Sequence, residues 1–235
     1  MKDTPYNEQA AEGYVNEEGL FVIPVRQPPL IRFFAHLFSY VFHPLFVPSY
    51  TALFLIFVHP YVFPDSNPKI KVLRSISVVL LTAFFPAFSV FLLKQLGFVK
   101  TIFLKTRKER IIPYVISMFF YFWIFYVSFN LRDSPLFFKV MLLGVFLACI
   151  AAYMANIYYK VSMHAVAMGS FLTFFVLLAL QGNFFMGLYL SLVTLIAGIV
   201  CTARLIVSDH HPFDVYSGFL MGAIMQGVAM AVLMG

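Results

Sequence analysis

Arg204, His210 and Asp214 set a guanidinium, an imidazole six residues on, and a carboxylate four residues after that, in a polar island at 203–214 between long apolar runs. A charge at the centre of a bilayer costs about 2.5 to 3.5 kcal/mol on insertion scales, so charges kept there tend to serve a function. A histidine supported by a carboxylate can act as a nucleophile, and an arginine fork can bond two oxygens of one anion. The plainer reading of the same three residues is a buried polar network that only holds helices together.

Two other clusters carry comparable chemistry. Lys105-Thr106-Arg107-Lys108-Glu109-Arg110-Ile111-Ile112-Pro113 concentrates cations, and Ser162-Met163-His164 sets a hydroxyl beside an imidazole. Ser162 is placed to cap the helix that follows it, whose first N–H groups would point at an anion. Pro212 suits the first turn of a helix and puts Asp214 in that same turn, a second anion-friendly end. Taken singly, the basic residues read equally as a juxtamembrane cluster, and His164 as an interfacial histidine. His211 reads either as a second anion contact or as a filler near the helix start; His36, His43 and His59, among aromatic or proline neighbours near span ends, read as structural.

The elements that must position these clusters follow from composition. With 62% hydrophobic and 11% charged residues, the chain has too little polar surface to cover a soluble globule. A spanning helix needs about 20 mostly apolar residues. Such stretches fall at about 40–59, 72–95, 111–129, 136–158, 163–181, 184–207 and 213–234, separated by Pro60, Pro64, Asn67 and Pro68, by 130–135, and by Gln181-Gly182-Asn183. The first is interrupted by Pro44 and Pro48, and Ile31 to Phe42 could lie in the interface as an amphipathic helix. The expectation is therefore an all-α, polytopic transmembrane helix bundle with six to seven spans, occupying 31–235 behind a flexible acidic tail at 1–30. No cleaved signal peptide is expected. Cys149 and Cys201 lie inside apolar runs and support neither a disulfide framework nor a cysteine metal site. Gly218 and Gly222, four apart, suit close helix packing.

Two spans separate each cluster from the next, and an even number of crossings returns the chain to the same side. All three clusters are therefore expected at one membrane face. The Lys and Arg count is eleven on that side, tail included, against five on the other, which by the positive-inside rule favours the cytoplasm. Four of the eleven, Lys105, Arg107, Arg110 and Arg204, are candidate anion ligands, so orientation stays open.

The order and spacing of the clusters resemble the type 2 phosphatidic acid phosphatase family, which includes bacterial undecaprenyl pyrophosphate phosphatases, lipid A phosphatases and vanadium haloperoxidases. That family carries Lys, six residues, Arg-Pro; then Pro-Ser-Gly-His; then Ser-Arg, five residues, His, three residues, Asp. Arg204, His210 and Asp214 match the third motif in register, Ser162 and His164 match the Ser and His of the second, and Lys105 and Pro113 keep the spacing of the first. Ala203, Val161, Met163 and Ile112 stand where the family has Ser, Pro, Gly and Arg, and Arg110 or Arg107 could supply the missing guanidinium.

The resemblance implies a lipid phosphate or diphosphate phosphatase in a bacterial cytoplasmic membrane. His210 would be the nucleophile that forms a phosphohistidine, Asp214 its orienting partner, and His164 the general acid for the leaving oxygen. Lys105, Arg107, Arg110, Ser162 and Arg204 would bind the phosphate of a polyprenyl, glycerolipid or lipid A substrate. No cofactor, metal or nucleic-acid partner is expected. Glu109, Asp209 and Asp214 are too few carboxylates for a pair of divalent ions, which disfavours membrane prenyltransferases and alcohol phosphotransferases. The alternatives are a non-catalytic transporter or lipid-binding scaffold that retains the anion site, and a lipid phosphotransferase.

Overall fold

The computed structural model describes residues 14–15, 21–22, 27–64, 67–98, 107–182, 184–207 and 211–235. Two of the residues singled out above, Lys105 and His210, lie outside them, as does most of the acidic tail. Within the tail a two-residue antiparallel ladder pairs Tyr14–Val15 with Phe21–Val22. The rest of the regular structure among the described residues is helical: α1 (Pro29–Val41), α2 (Val47–Val58), α3 (Pro68–Gln95), α4 (Arg107–Asn130), α5 (Leu136–Tyr158), α6 (Met163–Ala179), α7 (Gly187–Val207) and α8 (Pro212–Met234).

Five of these helices, α3, α4, α5, α7 and α8, are long and apolar enough to cross a membrane, and the chain is on that ground a multi-pass membrane protein. α2 and α6 are apolar but shorter. Where the sequence led to an interrupted span at 40–59, the short α2 stands at 47–58, and the stretch before it, expected as an amphipathic helix from Ile31 to Phe42, is α1. Pro44 lies in the turn between them and Pro48 opens α2, because a proline lacks the N–H that would continue the helix. α1 exposes Leu30, Phe33, Phe34 and Leu37 while Ala35 and Ser39 are buried on its packed side, in line with an amphipathic helix.

Packing in such a bundle reverses the soluble pattern: Phe119, Trp123, Leu188 and Val232 are exposed, and small residues fill the helix contacts. α6 lies between α5, α7 and α8, and its approach to α8 is the tightest in the molecule. A Cβ on Gly222 would sit 1.9 Å from the Val166 carbonyl oxygen, and one on Gly169 would sit 1.9 Å from that of Phe219. Gly218 is nearly as close, 3.0 Å from the Ser162 carbonyl, so the close packing expected at Gly218 and Gly222 is present and Gly169 joins it. Backbone cannot step aside as a side chain can. Gly222→Ala is therefore expected to destabilise the fold by about 3 kcal/mol, the upper range for overpacking. Thermal unfolding in detergent checks this, and an unchanged midpoint would show that α6 and α8 can separate without loss.

Gln226 ties the same helices inside the apolar interior. Its Oε1 accepts from the Ser170 hydroxyl at 2.9 Å and its Nε2 donates to the Val140 carbonyl at 3.2 Å, so a fully buried amide is satisfied at both ends. One end of the bundle is closed by Arg74, which pairs with Asp133 at 2.7 Å, donates to the Ser134 hydroxyl at 3.1 Å and lies over the Phe63 and Phe138 rings. The described residues of the three sequence clusters gather at the other end.

Candidate functional site

The loop from α5 to α6 is held by the first turn of α4. Arg107 donates to the carbonyls of Ile157 at 3.1 Å and Tyr158 at 2.6 Å, the last of α5. A cation on unpaired C-terminal carbonyls is favoured by the helix dipole. Asn156 returns a bond to the Arg107 carbonyl at 3.0 Å, and Arg110 donates to the Val161 carbonyl at 3.1 Å. Arg107 thus closes a helix end, whereas Arg110 reaches one residue from Ser162.

Ser162 occupies the N-cap position of α6, as its place in the sequence suggested, but its hydroxyl makes no capping bond. Its N–H instead donates to the Asp214 carbonyl at 3.2 Å, joining α6 to the first turn of α8. The Oγ is fully buried and has no hydrogen-bond partner among the described residues. Burying a hydroxyl without a partner costs about 1 to 3 kcal/mol. An oxygen left in that state marks a place where another group belongs.

Asp214 lies in the first turn of α8, as Pro212 at the helix start implied, and is 7% exposed. Its Oδ2 accepts from the His211 N–H at 3.0 Å, which makes His211 the residue that opens α8. Asp214 also lies within the electrostatic field of Arg110. Arg110 and Arg204, brought from α4 and α7, are close enough to repel one another. Two guanidiniums brought together, one from near the start of α4 and one from the last turn of α7, form a setting for a multiply charged anion.

His164 and Arg204 share a support that the sequence reading passed over. Ser39, near the end of α1, meets the His164 Nε2 with its carbonyl at 3.0 Å and accepts from Arg204 with its hydroxyl at 3.3 Å. A carbonyl only accepts, so Nε2 carries hydrogen in both charge states of the ring. Nδ1 is then the nitrogen that takes up and releases the proton. The Ser39 carbonyl plays toward His164 the orienting part that a carboxylate plays in a catalytic triad.

His43, four residues beyond Ser39, lies against this site, and its Nδ1 accepts from the Leu45 N–H at 3.4 Å, a local bond that fits its structural reading. Its ring lies 5.3 Å from that of His164 at 83°, an edge-to-face contact. His59, by contrast, is a satisfied core histidine at the other end of the bundle, accepting from the Tyr61 N–H and packing on Phe54 and Phe184. Ser39 lies in the last turn of α1 and His43 just beyond its C-cap, a placement that carries no periodic signal in the sequence.

Burial first, and the Arg204 charge second, push the His43 pKa down from 6.5 to about 4. The folded protein keeps His43 neutral where the unfolded chain takes up a proton, between about pH 6.5 and 4. Stability is therefore expected to fall as the pH falls through that window. Melting temperatures taken across it should decline less steeply for His43→Gln than for the native chain, and parallel curves would contradict the assignment.

The contacts form two chains, one from Asp214 through Ser162 and Val161 to Arg110 and the other from Arg204 through Ser39 to His164, with Arg110 and Arg204 close enough to repel one another. Of the eight residues that the sequence singled out, the six described, Arg107, Arg110, Ser162, His164, Arg204 and Asp214, lie at one end of the bundle. Comparison with protein-family models, with curated proteins and with solved structures found no match.

Proposed function

We propose that this chain is a membrane phosphatase that hydrolyses a lipid phosphate or diphosphate through a phosphohistidine, in the manner of the type 2 phosphatidic acid phosphatases that its three motifs resemble. The observation that carries the reading is the meeting of Arg110, Ser162, His164, Arg204 and Asp214, drawn from four helices, at one end of a membrane bundle.

The scheme needs side chains alone. Arg110, Arg204 and the Ser162 hydroxyl hold the nonbridging oxygens, with Lys105 as a further cation from the sequence. His210 attacks phosphorus as the ester or anhydride bond breaks, and His164 gives a proton to the leaving oxygen. Asp214 carries enough acceptor sites to hold both the His211 N–H and the ring N–H of His210. Water then attacks the phosphohistidine, losing its proton to His164, and phosphate leaves with His210 restored.

A site at the end of an apolar bundle admits a headgroup while its tail stays in hydrocarbon. This favours polyprenyl, glycerolipid or lipid A phosphates over soluble esters, and a bacterial cytoplasmic membrane as the setting. The test is phosphate release from a panel of these lipids in detergent with chelator present. Release from at least one is expected. Vanadate binding with no release from any of them would instead support the non-catalytic anion site.

A further inference from the structure

Tyr114 lies one turn inward of Arg110 on the same face of α4, the i and i+4 positions. It is 3% exposed, and its hydroxyl has no hydrogen-bond partner among the described residues. Tyrosine hydroxyls normally find a partner when buried, because an unmade bond there forfeits the solvation of the group. The ring is held from the side by Tyr153, with centroids 6.1 Å apart, and the Tyr114 carbonyl is met by the Cys149 thiol. The side chain is therefore fixed and its oxygen is not.

The direction of the ring follows from helix geometry. Long side chains on a helix lean toward its N-terminus, which for α4 is the end that carries Arg110. The Tyr114 hydroxyl lies within the electrostatic reach of both Arg110 and Tyr159. Tyr114 packs in one cluster with Val161, whose carbonyl accepts from Arg110 and whose neighbour is Ser162. Two buried hydroxyls without partners, Tyr114 Oη and Ser162 Oγ, thus flank the segment that anchors Arg110.

We infer that Tyr114 is a phosphate-binding residue whose hydroxyl donates to a nonbridging oxygen of the anion held by Arg110. This rests on the phosphate-site reading above and extends it to a residue outside the three motifs. A neutral donor at that depth adds a bond without adding to the repulsion between Arg110 and Arg204. It also separates the requirements of the empty and filled states: the hydroxyl strains the protein without anion and is satisfied with it.

Tyr114→Phe removes one oxygen and opens no cavity, so the two states can be read apart. Titration of detergent-solubilised full-length protein with inorganic orthovanadate should give a Kd about tenfold weaker in the variant. Its melting temperature without anion should be equal to or above that of the native chain. Unchanged vanadate affinity would overturn the inference and point to a trapped water between the hydroxyls. A lower melting temperature would overturn it too, by showing that the hydroxyl already has a protein partner. Failure of the native protein to bind orthovanadate would instead overturn the phosphate site itself.

Discussion

Replacing His164 by Ala is expected to slow phosphate release from a lipid monophosphate by about 10² to 10⁴, the usual contribution of a positioned general acid. The loss should depend on what leaves. An alkoxide must be protonated as its bond to phosphorus breaks, whereas an aryl oxide leaves unaided, so the variant should lose much less on an aryl phosphate than on the lipid. The argument comes from the fixed ring: with Nε2–H committed to the Ser39 carbonyl, Nδ1 is the nitrogen that the proposed scheme assigns to the leaving oxygen. Steady-state rates on the two substrates check this. Equal losses on both would show that His164 holds structure and passes no proton.

Replacing Arg204 by Lys is expected to lower kcat/KM by about 10² or more, although the charge is kept. A guanidinium can bond Ser39 with one nitrogen and still present donors to a phosphate, whereas an ammonium is a single point on a flexible stem. The lysine would have to choose between the two. Kinetics of Arg204→Lys beside Arg204→Ala measure the effect. A lysine variant as active as the native chain would mean that only charge matters at this position.

Much of this architecture is legible in the sequence because bilayer thickness and proline impose simple rules. The expected span at 136–158 coincides with α5, and those at 163–181, 184–207 and 213–234 differ from α6, α7 and α8 by a few residues at their ends. The even number of crossings between clusters correctly predicts that their described residues share one end. Local breakers hide more than they reveal at 40–59, where Pro44 and Pro48 leave the short α2 in place of a full span. The π turns at Phe54–Val58 and Leu80–Phe84 are likewise invisible to hydropathy, since widening a turn changes no composition.

The site divides along the same line. Ser162, His164, Arg204 and Asp214 were legible because their types and spacing resemble a known pattern, and Arg110 as a nearby cation able to replace the arginine missing at Ile112. Ser39 and His43 were not, because the bond from Ser39 to His164 joins positions 125 residues apart and only the folded bundle brings them together. The Ser162 hydroxyl was expected to cap α6, and its backbone N–H bonds Asp214 instead, leaving the oxygen without a partner among the described residues. Tyr114 had no sequence signal at all: a tyrosine in an apolar helix reads as bulk until its hydroxyl is seen without a partner.

The central claim is that phosphorus passes through a histidine in this site. A reaction on labelled lipid phosphate, quenched in alkali during turnover and digested, should yield a phosphoryl group on the peptide that contains His210, stable to base and labile to acid. The same peptide from His210→Ala should carry none, and that variant should release no phosphate. Release by His210→Ala at the native rate, or a label on any other residue, would contradict the account.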